Sequence, residues 1–153
     1  MARVVLVGEH NPLSSEPRHA LYPYPVGCSG WRLWQLSGLF RHEYMALARV
    51  NVMPHDVPRW RKKLARELAH DIDQRYPEPD HVLVLCGSRV AEAFELQPAT
   101  VERPAELYDE DGQAALGAWR FLVIPHPSGR NLLWNNAWVA QSVRAALRRL
   151  LRP

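Results

Sequence analysis

The sequence predicts an α/β protein. The expected form is a three-layer αβα sandwich around a central four-stranded, mostly parallel sheet, in one domain over residues 1–153. Three observations carry this. Short apolar runs occur at 3–7, 48–52, 81–86 and 120–124, and stretches with helical spacing separate them. The runs are near-continuous rather than alternating, the pattern of strands covered on both faces. Glycine or proline closes them: Gly8, Pro54, Gly87 and Pro125.

The elements follow in order. Residues 3–7 form the first strand. Residues 9–30 are rich in Pro, Gly and Ser and also carry Tyr22 and Tyr24. A long loop of this kind inside a compact domain is usually functional. Trp31, Leu33, Trp34 and Leu36 begin a short helix, and 43–48 make another helical piece. Residues 48–52 are the second strand. Asp56 is positioned to cap the next helix, with Pro58 in its first turn. There Trp60, Leu64, Leu68 and Ile72 form one apolar stripe, while Arg59, Lys62, Lys63 and Arg66 read as a solvated face. Residues 81–86 are the third strand, and Ser88 caps a helix over 89–94. Residues 97–119 are irregular or a hairpin with an Asp111-Gly112 turn. Residues 120–124 are the fourth strand. Asn135 or Asn136 caps a last helix, whose apolar face is Val139, Val143, Leu147 and Leu150 and whose basic stripe is Arg144, Arg148 and Arg152.

Bulk properties narrow the function. Hydrophobic content of 47% and charged content of 23% are ordinary for a globular domain. The apolar runs are too short to span a membrane, and the first residues lack the length of a secretory signal. Cys28 and Cys86 give no disulfide framework and fit a reducing, cytoplasmic compartment. A net charge of +3 is compatible with nucleic acid without demanding it. The positive charge is nearly all arginine; a GC-rich genome explains that as readily as phosphate contact does. The histidines show no metal-ligand spacing, and no Walker loop or dinucleotide fingerprint is present. No metal or cofactor is expected.

In parallel sheets the ligand sits beyond the carboxyl ends of the strands. This rule brings together the loops after the four runs. Their polar residues are Glu9, His10, Asn11, Asn51, Ser88, His126, Ser128 and Asn131.

Several of these pieces together resemble the uracil-DNA glycosylase superfamily. Gly8-Glu9-His10-Asn11-Pro12 is similar to its first motif. The Asn-Pro pair looks like the mismatch-specific branch, where the asparagine positions the attacking water, and the Gly-Glu opening looks like the iron–sulfur branch. Residues 24–33 resemble the Phe-Val-Gly-x-x-Gly-x-x-Leu segment of the iron–sulfur enzymes, with Tyr24 nearest the base-stacking aromatic. Asn51 sits in a strand like the one that carries the base-reading asparagine. His126-Pro127-Ser128-Gly129 matches the second signature, whose histidine polarises the uracil carbonyl. The sequence also departs from the family. Arg130 stands at a wedge position that is often leucine, two cysteines cannot hold the iron–sulfur cluster, and no aspartate occupies the first motif.

The resemblance implies a DNA glycosylase, acting as a monomer on uracil or another deaminated or modified base in DNA. His126, Asn11 and Glu9 would be catalytic. Asn51, Tyr24 and His10 would bind the base, and Ser128, Gly129, Arg130, Asn131 and Ser88 would bind DNA. The residue chemistry fits these roles. An amide offers both a donor and an acceptor to a base edge, and a histidine can donate to a developing oxyanion. Ordinary structural roles compete: a turn before Pro12 for Asn11, a packed loop for His126, loop anchoring for Tyr24. Three other readings stay open: a non-catalytic base- or nucleic-acid-binding module of the same fold, a hydrolase of free nucleosides, and a generic doubly wound domain whose His-Pro-Ser loop is coincidence.

Overall fold

A computed structural model describes residues 2–115 and 117–152; Met1, Leu116 and Pro153 lie outside the described residues. The chain runs β1 (Arg3–Gly8), α1 (Ser29–Ser37), α2 (Arg41–Ala46), β2 (Ala48–Asn51), α3 (Lys62–Arg75), β3 (His81–Cys86), α4 (Ser88–Ala93), β4 (Glu106–Tyr108), β5 (Phe121–Ile124) and α5 (Ala137–Leu151). Short 3-10 turns occupy Pro17–His19 and Leu132–Asn135.

The sheet has five strands in the order β2-β1-β3-β5-β4, one more than the sequence predicts. Strands β2, β1, β3 and β5 are parallel, and β4 joins the β5 edge antiparallel. β4 escapes the sequence reading because it has three residues and lies within the irregular 97–119 stretch. A turn does form at Asp111-Gly112, where the Gly112 amide donates to the Asp109 carbonyl at 3.1 Å. β1 leads to β2 on one side, and the chain then crosses back to β3 on the other. The order therefore reverses beside β1, the point where open α/β sheets place their ligand crevice.

Successive strand residues point to opposite faces. Val5, Val7, Leu83, Leu85 and Val123 pack with Ala65, Ala69 and Ile72 of α3 and Val90 of α4. Val4, Leu6, Val84, Leu122 and Ile124 pack on the other face with Leu33, Tyr44, Val143 and Leu147 from α1, α2 and α5. The result is the expected layering of helices on both faces. Of the predicted stripe on the last helix, Val139, Val143 and Leu147 are fully buried and Leu150 is partly buried.

Two predicted caps move. The Asp56-Pro58 segment forms turns instead of a helix start, with the Val57 amide donating to the Pro54 carbonyl at 3.1 Å; α3 begins at Lys62 behind Arg61. Trp60 therefore precedes the helix but still packs on its core face. Gly87, not Ser88, precedes α4, at φ +107, a conformation that glycine alone adopts without strain. Asn136 caps α5 as expected, accepting from the Trp138 amide at 2.9 Å.

Arg120, read as part of an apolar strand, is a buried cation at the amino end of the sheet, 3% exposed. Its guanidinium donates to the His81 carbonyl at 2.9 Å and to the Asp73 carboxylate at 2.7 Å, tying β5 to β3 and α3. Removing the carboxylate takes away this cation's closest counter-charge, although the carbonyl bonds remain and Glu78 is still nearby. Asp73→Ala is expected to lower stability by about 1.5–3 kcal/mol. Urea denaturation measures this.

Candidate active site

At the carboxyl end of the sheet a cavity of about 340 Å3 opens beside β1. Glu9, His10 and Asn11 line it from the loop after β1, Asn51 from the end of β2, His126 from the loop after β5, and Tyr24 from the long loop before α1. These are the residues assigned to catalysis and base binding from the sequence. Segments far apart in the chain meet here because parallel strands end at one edge. Ser88, Ser128, Gly129, Arg130 and Asn131 lie outside the cavity lining. An adjoining cavity of about 540 Å3 shares Asn11, Ser14 and Asn51 with the first and adds Arg49, Arg75 and His55.

Gly8 pairs with Asn51 across the β1–β2 register. A Cβ on residue 8 would lie 2.5 Å from the Asn51 side-chain oxygen, so glycine makes room for this amide against the sheet end. The Asn51 side chain lines the cavity with no protein hydrogen-bond partner among the described residues.

The backbone around His126 is held firmly. Its carbonyl accepts from the Trp134 indole at 2.8 Å and from the Asn131 amide at 3.2 Å. Asn131 is thus a structural brace for the His126 loop, and it also receives the Leu133 amide at 3.1 Å. Ser128 accepts from the Arg130 amide at 3.2 Å. The His126 Nε2 lies 3.7 Å from one oxygen of Glu9. Burial pushes the imidazole pKa down, and the Glu9 carboxylate opposes this with a smaller upward effect. His126 is therefore a neutral ring near pH 7.

Glu9 also accepts from Arg89 at 2.8 Å. Arg89 was visible in the sequence only as a helix residue, although its place directly after the Gly87-Ser88 strand end is a signal. His10 and His55 link the loops after β1 and β2: His10 Nε2 lies 3.3 Å from the His55 carbonyl, and His55 Nδ1 lies 3.0 Å from the Asn11 carbonyl. Asn11 is committed within its own loop. Its oxygen accepts from the Leu13 amide at 3.0 Å, and its nitrogen donates to the His19 carbonyl at 3.3 Å. Arg41 sits over the Tyr24 ring at 4.7 Å, leaving the tyrosine partly exposed at the cavity wall.

Ser14, His19, Tyr22 and Cys28 also stand in the wall, and no sequence pattern singles them out for it. Ser14 Oγ lies 2.7 Å from His19 Nδ1. Cys28 Sγ accepts from the Trp31 amide at the start of α1 and donates to the Tyr22 carbonyl. Among the described residues no group of three or more His, Cys, Asp or Glu is placed to hold a metal, and no helix is long and apolar enough to cross a membrane. No family model matches the chain, and no curated protein matches it.

The lowered His126 pKa has a thermodynamic consequence. The unfolded chain binds that proton near pH 6.5, more readily than the folded one. The stability contributed by the neutral ring is present above that pH and is lost as pH falls through it. Between pH 8 and pH 5 the wild type is therefore expected to lose more stability than His126→Gln. Urea midpoints across the range check this, and parallel profiles for the two proteins would contradict it.

Proposed function

We propose that this chain is a DNA glycosylase of the uracil-DNA glycosylase type, which hydrolyses the N-glycosidic bond of a flipped-out uracil or other deaminated or modified base. The observation that carries the reading is the meeting of Glu9, Asn51, His126 and Tyr24 around one cavity at the switch point of the sheet. Its volume is within the range of small-molecule sites. The ordered resemblance of the sequence motifs adds to it.

The chemistry follows from these side chains. A base taken out of the stack needs a stacking surface and polar readers for its edge. Tyr24 supplies an aromatic wall, and the unpartnered Asn51 amide offers a donor and an acceptor. When the C1′–N bond breaks, its electron pair leaves with the base and the sugar becomes cationic. A neutral His126 donates a hydrogen bond to the base oxygen as negative charge grows there, without having to give up a proton. Glu9 faces the sugar, offsets its positive charge and orients the water whose oxygen bonds to C1′; the released proton passes to the carboxylate and then to solvent. The intraloop bonds of Asn11 favour Glu9 over Asn11 for this task. Arg75 in the adjoining cavity suits the phosphate that follows the sugar. Ser128, Gly129, Arg130 and Ser88, outside the cavity lining, are the DNA-contacting candidates.

The test is an abasic-site cleavage assay on labelled oligonucleotides containing uracil, hypoxanthine, xanthine or a thymine–guanine mismatch. Cleavage of one of them is expected, with kcat reduced roughly 10²–10³-fold in His126→Ala and a comparable loss in Asn51→Ala. Tight binding of a modified strand with no abasic product would make the protein a base-binding module instead. Cleavage undiminished in both variants would remove these residues from the site.

A further inference from the structure

The sequence reads the basic residues of α3 as a solvated face, but two of them line a cleft. Lys62 and Arg66 join Trp60 and Arg89 around about 400 Å3 between α3 and α4. Trp60 is half-buried, resting on the core. The Arg89 guanidinium lies over the ring, 5.9 Å from its centroid, and has to move aside for a base to stack there. The same guanidinium donates to Glu9 at 2.8 Å. One side chain therefore links this cleft to a residue of the candidate cavity. Glu92 and Glu95 line the α4 side, leaving the cations concentrated toward α3 and the Glu9 loop. Arg59, Arg61 and Lys63, all exposed, extend the positive charge outward.

An aromatic face beside several cations is the arrangement that holds unpaired nucleotides: the base stacks, and the backbone phosphates meet the positive side chains. A base inside a duplex is already stacked on both faces and offers none to Trp60. We propose that this cleft is a second nucleic-acid subsite, which holds an unpaired nucleotide of the strand whose modified base enters the cavity. Identifying that strand rests on the glycosylase reading; the ligand chemistry of the cleft does not. Arg89 is the coupling element. On meeting a phosphate it exchanges one anionic partner for another, and the Glu9 oxygen it held is released toward the water. In this role Arg89 is a positioning residue.

The test is fluorescence anisotropy with an undamaged, labelled oligothymidylate of about ten nucleotides, within the site sizes of single-strand binders. Binding is measured across a salt series. The wild type is expected to bind. Lys62→Ala/Arg66→Ala, at exposed helix positions, should flatten the log–log salt dependence by roughly 1.4, two phosphate contacts at about 0.7 each. Trp60→Ala should weaken binding roughly 10-fold, and Trp60→Phe, which keeps a ring on the core, should restore most of it. No binding by the wild type, or unchanged affinity and slope in these variants, overturns the proposal. Excision of uracil, hypoxanthine, xanthine and mismatched thymine, assayed alongside, separates the two ideas. Excision without these binding losses removes the cleft alone, whereas the losses without excision remove the glycosylase reading and leave the cleft.

Discussion

The Tyr44 hydroxyl donates to the Leu21 carbonyl at 2.8 Å from a side chain with no exposed surface. Beside it, Arg49 donates to the Ala20 carbonyl at 3.0 Å and lies over the Tyr44 ring. These contacts hold the long loop before α1 against the sheet end, and the cavity wall formed by Leu21, Tyr22 and Tyr24 depends on them. Burial pushes the Tyr44 pKa up and the Arg49 pKa down. The phenol is thus a fixed donor, and the arginine remains the cation that lowers the cost of polar groups at that depth. A carbonyl buried without its donor costs about 1–3 kcal/mol, enough to let the loop lift and open the site.

The site rests on a balance of charges. Glu9 is shared between Arg89 and His126. The cation is closer, at 2.8 Å against 3.7 Å; the imidazole stays neutral because burial outweighs the carboxylate's attraction. A neutral donor next to an anionic carboxylate suits a reaction in which one end of a breaking bond becomes negative and the other positive. Two formal charges of the same sign would favour only one end. At the opposite, amino end of the sheet, Arg120 and Asp73 fix β5 against α3 far from this chemistry, so the loop carrying His126 leaves a rigid strand.

Much of this was legible in the sequence. The four parallel strands, the last helix with its Asn136 cap, and the gathering of Glu9, Asn51 and His126 follow from apolar runs and the strand-end rule, both local signals. The rest depends on partners distant in the chain. The Glu9–Arg89 and Tyr44–Leu21 contacts join residues 80 and 23 positions apart, with no periodicity to announce them. Asp56 and Pro58 carry a valid helix-start signal, yet turns consume that segment and α3 begins behind Arg61, which makes no side-chain cap. β4 is an edge strand of three residues, stabilised by its pairing with β5 rather than by its own pattern. Arg120 sits inside an apolar context, and only its burial against Asp73 reveals it as a structural cation.

Whether the cavity accepts a nucleobase can be asked without turnover. Titrating isotope-labelled protein with free uracil and following amide signals by NMR would answer it. A base-binding cavity predicts saturable shifts of the Asn51 side-chain amide together with the backbone amides of Gly8, Glu9 and His126. No shifts at millimolar uracil, or shifts confined to residues away from this cavity, would contradict it.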